Sequence, residues 1–525
     1  MSGVDSRHHR IVRGRENEKG WVKLEIVDGE PVQGEVPSQS INSLLSLIHI
    51  SDLHICDAQS PARVEMIDRF ADPHHPMSEY VKYVGTYRAQ EIMTAQTLES
   101  MIRTVNAFKT GIVSDRPIDA VVITGDVTDN SQNNELKWYL SIMDGGVVHP
   151  DSGSTDYWEG VATTDPEKYD PFYWNPEGTP TGCADDFPRS LYGFPAVPGL
   201  IRAVRQPFTA VGLKHNWYAT HGNHDGLLQG TVVADDYLES VAIGDQRAIS
   251  LSEDTDLAEM FGNFQMVGPT SYPKSQGATF KKVTSDPRRR LNKPDDWAKV
   301  HLSCGHDHGL DEKNVKAGTK YWSKDIGEVR LISMDTVNEH GGWQGSLDET
   351  QFIWLQNCLA DPTPKYFVLL SHHPAPSLFN LYAPAQAERR IGEAELVDFL
   401  LTQPRVILWL AGHNHKHQVD FVAREEARGF WHIQSASNID WPQQGRLVEI
   451  LEADGKIVIA TSVFDHLSPT TLEAATSDLS NPINLAGLSR LLAANDWQRR
   501  QGEIAVELMA GATADRNRYL WLDTH

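Results

Sequence analysis

Six short runs constrain this chain's fold more than anything else in it: Leu44–Ile50 (LLSLIHI), Asp119–Thr124 (DAVVIT), Asn216–His221 (NWYATH), Val329–Met334 (VRLISM), Tyr366–Ser371 (YFVLLS) and Arg405–Ala411 (RVILWLA). They are rich in Val, Ile and Leu and do not alternate apolar with polar, as expected of strands covered on both faces. Helical patterns lie between them, at Ala89–Lys109, Leu347–Leu359 and Ala394–Leu401. The alternation predicts an α/β fold in which helices pack on the faces of a sheet. Ligand sites in such folds sit at the carboxyl ends of the strands.

Five of these strand ends carry chemistry. The first delivers Ser-Asp-Leu-His, placing Asp52 and His54 two apart and on the same side. The second delivers Asp126 and Asp129 in GDVTDN, and the third Asn223, His224 and Asp225 in HGNHDG. SHHPAP supplies His372 and His373, and AGHNHKH supplies His413 and His415. Any one of these alone is more often a cap or a turn residue than a ligand. Together they form an oxygen and nitrogen donor set without cysteine, suited to Mn, Fe, Zn, Co or Ni in five- or six-coordinate geometry. Seven donors are too many for one ion and about right for two that share a carboxylate, the arrangement used for displacement at phosphorus.

The order D-x-H, G-D-x-x-D, G-N-H-D, a histidine after a strand, and G-H-x-H resembles the calcineurin-like metallophosphoesterases. The stretch Gly341–Leu359 (GGWQGSLDETQFIWLQNCL) is similar to a segment of that superfamily's bacterial cyclic-nucleotide and glycerophosphodiester phosphodiesterase branch. The resemblance implies a four-layer αββα sandwich. It also implies two transition metal ions (Mn, Fe or Zn), one held by Asp52, His54 and His415 and the other by Asn223, His372 and His413, with Asp126 bridging. His224 would act beside the phosphate, oriented by the carboxylate of Asp129. The implied reaction is hydrolysis of a small phosphodiester by a metal-bridging hydroxide. A phosphomonoesterase or nucleotidase with the same site is the alternative, and a non-catalytic scaffold of the same fold is a remoter one.

A second Gly-His-x-His occurs at Gly305–His308 (GHDH), ahead of the fourth run, where the family has no ligand pair. His306 and His308 read either as a surface loop or as a loop folded over the site. His340 and His373 are further candidates for contact with substrate.

Two long stretches, 145–206 and 227–300, interrupt the strand rhythm and are expected to cap the site within a catalytic domain spanning 41–466. An N-terminal extension, 1–40, contains a hairpin expected to turn at Asp28-Gly29, and 467–525 forms a helical tail. The balance of 47 basic against 71 acidic residues, a net charge of -24, disfavours a nucleic-acid polymer as partner. Four scattered cysteines make no disulfide framework, and the N-terminus has no apolar run of the kind a signal peptide needs. The expectation is a cytoplasmic protein that engages no membrane and acts on a small phosphate ester.

Overall fold

The computed structural model describes residues 5–38, 41–272, 278–425, 428–499 and 505–523. All six predicted runs form strands, but they divide between two six-stranded mixed sheets. In the first sheet Asn42–Ile50, Ala120–Ile123 and Trp217–Ala219 are parallel neighbours. The sheet is extended by antiparallel Gln444–Ala453, Lys456–Asp465 and Arg518–Asp523. In the second, Val329–Ser333, Tyr366–Leu370, Val406–Ala411 and Arg428–Gln434 run parallel, flanked by antiparallel Trp322–Ile326 and Gln418–Glu425.

The pleat of the second sheet shows what each face covers, because alternate side chains point to opposite sides. Leu331, Val368, Leu370, Leu408 and Leu410 share one core with Leu45, Leu47 and Val121 of the first sheet. Ile332, Phe367, Leu369 and Trp409 pack with Phe352, Leu355, Leu396 and Leu400 of helices Glu349–Ala360 and Glu393–Leu400. On the other flank, Leu98, Met101, Ile102 and Val105 of helix Thr94–Val105 join the first sheet's core. The layers are therefore helix, sheet, sheet, helix. Each fully buried leucine contributes roughly 1.5–3 kcal/mol, so the two sheets are held face to face mainly by aliphatic packing.

The N-terminal strands His9–Glu16 and Val22–Asp28 pair as a hairpin. Its turn is Asn17–Gly20, not Asp28-Gly29. The Asn17 side chain accepts from the main-chain N–H groups of Lys19 and Trp21, and Gly20 takes φ 76°. Ile11, Trp21 and Leu24 from this hairpin share an apolar cluster with Tyr173, Trp174 and Phe194 and with Leu485 and Trp497 near the C-terminus. Tyr173 and Trp174 are thus spent on internal packing. The run Arg288–Arg290 is also used internally: Arg288 pairs with Asp286, Arg289 with Asp57 and Arg290 with Asp296. Among the described residues no helix is long and apolar enough to cross a membrane.

Candidate metal centre

The two sheets bring their carboxyl ends together at one place. Loops of the first sheet supply Asp52, His54, Asp126, Asn223 and His224, and loops of the second supply His372, His413 and His415. Strand-like pairing continues past the strand ends: Asp52 N–H donates to Gly125 O, His54 N–H to Asp126 O and Ile55 N–H to Val127 O. The second sheet is tied in by His413 N–H, which donates to the Asp52 carboxylate at 3.1 Å.

Eleven described non-glycine residues have positive φ, and five of them are Asp52, His54, Asp126, His413 and His415. This left-handed backbone is unfavourable for such residues and persists only where the surroundings enforce it. Glycines permit the close approach. A Cβ on Gly222 would sit 2.2 Å from Asp126 Oδ1, and one on Gly125, at φ 88°, would sit 2.7 Å from His372 Nδ1.

Within the cluster, donor atoms face one another. His415 Nε2 lies 3.2 Å from Asp52 Oδ1 and 3.3 Å from His54 Nε2. Asp126 Oδ2 lies 3.1 Å from His372 Nε2 and 3.6 Å from His54 Nε2, between the two groups of ligands. His413 Nδ1 lies 3.3 Å from His372 Nε2.

The far nitrogen of three of these rings has an acceptor of its own. His54 Nδ1 donates to Asp129 Oδ1 at 3.0 Å, His415 Nδ1 to Asp440 Oδ2 at 2.7 Å and His372 Nδ1 to Thr124 O at 2.8 Å. In each case Nε2 is thereby the nitrogen aimed inward, the usual way a metal-binding imidazole is oriented. Asn223 donates through Nδ2 to Gly230 O at 3.0 Å, while its buried Oδ1 has no hydrogen-bond partner. Imidazole nitrogens and carboxylate oxygens facing one another beside an unpartnered buried oxygen are what two cations would satisfy, so the residues present fit the metals that the motifs imply.

The electrostatics favour positive charge at the centre. Burial opposes ionisation of Asp126, but His372, His224 and His54 hold its carboxyl well below the usual range. Burial also pulls His372 down, yet Asp126 and Asp52 outweigh it and raise the imidazole to about 9. Around the ligands stands a ring of ion pairs that the motifs do not reveal. Arg63 pairs with Asp129 and Glu91, and Arg88 and Arg499 pair with Asp440. Asp440 follows the strand Arg428–Gln434 in an Asn-Ile-Asp sequence that has no recognisable pattern. Its position after a buried strand is the only signal that could have found it.

Asp129 plays a different part from the expected one. Its carboxylate serves His54 and Arg63, and its main-chain oxygen accepts from His224 Nδ1 at 2.5 Å. The cause is the turn after Asp126, which points the side chain back toward Arg63 and leaves the carbonyl facing His224. Burial pulls His224 down to about 4, so the ring is neutral at neutral pH and turns Nε2 away from Asp129.

His373 borders the cluster, with its ring 4.4 Å from that of His413. Both its nitrogens are engaged, Nδ1 by Thr336 Oγ1 and Nε2 by Trp343 O. Trp343, 38% exposed, stacks on His413 at 5.9 Å and 18°. His340 lies close by, paired with Glu339 and edge-on to Tyr382. His306 and His308 are not brought to the cluster. His306 is exposed, and His308 is buried against Trp217 in a separate group with Asp144 and Cys304.

A comparison with curated proteins finds no match. Among solved structures the chain is similar to a dimetal phosphatase from Danio rerio, at 9% identity and TM-score 0.37 over 81% of this chain and 98% of that one. It is also similar to the sulfate thiohydrolase SoxB of Thermus thermophilus in complex with glycerol, at 11% identity and TM-score 0.28 over 84% of this chain and 58% of that one. Both likenesses are distant, and nothing about activity follows from them. The family described as calcineurin-like phosphoesterase matches residues 199–417, a span that contains Asn223, His224, His372, His413 and His415. Over that span the chain is similar to the calcineurin-like phosphoesterases.

Proposed function

We propose that the protein is a two-metal phosphodiesterase. Asp52, His54 and His415 would hold one ion, Asn223, His372 and His413 the other, and Asp126 would lie between them. The observation that carries this reading is the inward aim of three imidazole Nε2 atoms, set by Asp129, Asp440 and Thr124 O, beside the unpartnered Asn223 Oδ1. When bound, the ions would activate water and neutralise charge on the phosphoryl oxygens.

His224 and His413 are the partly exposed members of the cluster, so substrate approaches between them, past Trp343. His224 holds its Nδ1 proton against Asp129 O, and Nε2 would take up the proton released as water attacks phosphorus. It then passes that proton to the departing oxygen. The preference for a diester rests on the resemblance of Gly341–Leu359 to the phosphodiesterase branch. The segment 227–300 acts as part of a cap, a role supported by the hydrogen bond from Asn223 to Gly230 O.

The test combines elemental analysis with turnover of bis-p-nitrophenyl and p-nitrophenyl phosphate, on the protein and on His224→Ala. The expected result is two metals per chain, faster cleavage of the diester, and activity lost in the variant with its metals retained. Faster cleavage of the monoester would make the protein a monoesterase with the same site. Fewer than one metal per chain after supplementation with Mn, Fe and Zn would overturn the proposal.

A further inference from the structure

We propose that Asp144, Cys304 and His308 form a third metal site, of zinc-type chemistry, that clamps the chain following the 227–300 segment to the catalytic scaffold. The three residues come from two separate pieces of chain. Asp144 ends the helix Asn133–Asp144, Cys304 follows the helix Asp296–Ser303, and His308 lies in the loop beyond it. Their donor atoms lie within 4.8 Å of one another.

The geometry prepares His308 as a ligand. Its ring stacks on Trp217 with centroids 3.5 Å apart, and Nδ1 donates to Trp217 O at 2.8 Å. The lone pair on Nε2 is therefore aimed at Cys304 Sγ, 2.9 Å away. This is the same device that orients His54 and His415 in the main centre.

A Cys beside a His also suggests a nucleophile, but the surroundings oppose that reading. Burial pushes the Cys304 thiol up and the neighbouring Asp144 carboxylate adds to it, whereas a nucleophilic cysteine needs its thiolate stabilised. A divalent cation reverses the balance. It displaces the thiol proton to solvent and turns thiolate, imidazole and carboxylate into three ligands of the sulfur, nitrogen and oxygen types zinc accepts, leaving a fourth position for water.

Access is open, since Asp144 is exposed and the group borders a surface cavity of about 550 Å³ that also touches Lys214 and Lys324. The site is distinct from the main centre. The helix that ends at Asp144 begins four residues after Asp129, and its 12 residues span roughly 18 Å.

Cobalt(II) distinguishes this site, because the ligands of the main centre include no cysteine. The full-length protein is stripped with chelator and titrated with Co(II), in parallel with Cys304→Ala, Asp144→Asn and Cys56→Ala. The expected result is a near-ultraviolet thiolate-to-cobalt charge-transfer band in the parent and in Cys56→Ala. Cys304→Ala lacks the band and binds one equivalent less metal, and Asp144→Asn shows the band at weaker affinity. A parent protein without the band, a band that survives in Cys304→Ala, or equal stoichiometry in the two would overturn the proposal. Asp144 is exposed and Cys304 partly so, and both substitutions are expected to leave the fold intact. Circular dichroism of each stripped variant checks that directly.

Discussion

Gly305–His308 and Gly412–His415 share one spacing of two histidines, yet they end in unlike places. In the second copy both histidines take left-handed backbone, at φ 69° and 56°; the His415 ring faces Asp52 and His54, and the His413 ring faces His372, all delivered by other strands. In the first copy the positive φ falls on the glycines, Gly305 and Gly309, at 77° and 85°. One of its histidines points to solvent and the other packs on Trp217. The motif supplies donors and a turn. The strand that feeds it, and what converges on it, decide whether those donors meet in a shared centre.

The contrast can be broken most sharply at His415. In the proposed two-metal site, removing it takes a donor from a cluster in which several kcal/mol of charge stabilisation would depend on bound ions, so His415→Ala is expected to lower kcat/KM by about 10³-fold with loss of metal. Steady-state kinetics with elemental analysis checks both, and retention of two metals would remove His415 from the ligand set. A smaller loss, about 10²-fold in kcat, is expected for His224→Ala with metal content unchanged, because under the proposed function only proton transfer would be lost.

Asp440→Asn keeps the shape but weakens the acceptor on His415 Nδ1. Metal affinity should fall about 10–100-fold, read by competition with a chelator. The first copy sets the lower bound. His306→Ala, an exposed substitution, is expected to leave turnover within about twofold, since such changes stay within roughly 0.5 kcal/mol. A large fall there would show that the loop reaches the substrate after all.

The readable and unreadable parts of the fold differ in how their strands stay buried. Val406–Ala411 is apolar throughout and announces itself. Gln444–Ala453 is almost as buried, yet it carries Arg446 and Glu449, which interrupt the apolar pattern. Arg446 donates to Thr461 Oγ1, Asp515 O and His417 Nδ1, and Glu449 accepts from the main-chain N–H groups of Ile112 and Val113. Those partners are distant in sequence, so the antiparallel half of the first sheet has no local signature. The same holds for the edge strand Arg518–Asp523, which reads only as an apolar end to a helical tail.

The site divides in a similar way. The donors that converge were legible because each directly follows a buried strand, and strand ends in a parallel sheet emerge on one side. Asp440, Arg63, Arg88 and Arg499 were not legible, because a residue that steadies a ligand needs only to be near it and is bound to no spacing. The two jobs of Asp129 show the limit within a motif: its side chain and its carbonyl serve different histidines, a choice made by the turn and by Arg63.

The sequence by itself determined the strands that could be buried, the donor types at their ends and the chemistry those donors suit. These follow from local composition and period. Only the tertiary structure decided that the strands fall into two facing sheets, that Asp126 lies between two groups of candidate donors, and that one Gly-His-x-His joins them while the other does not. Each of those outcomes depends on contacts between residues far apart in the chain, which local pattern does not encode.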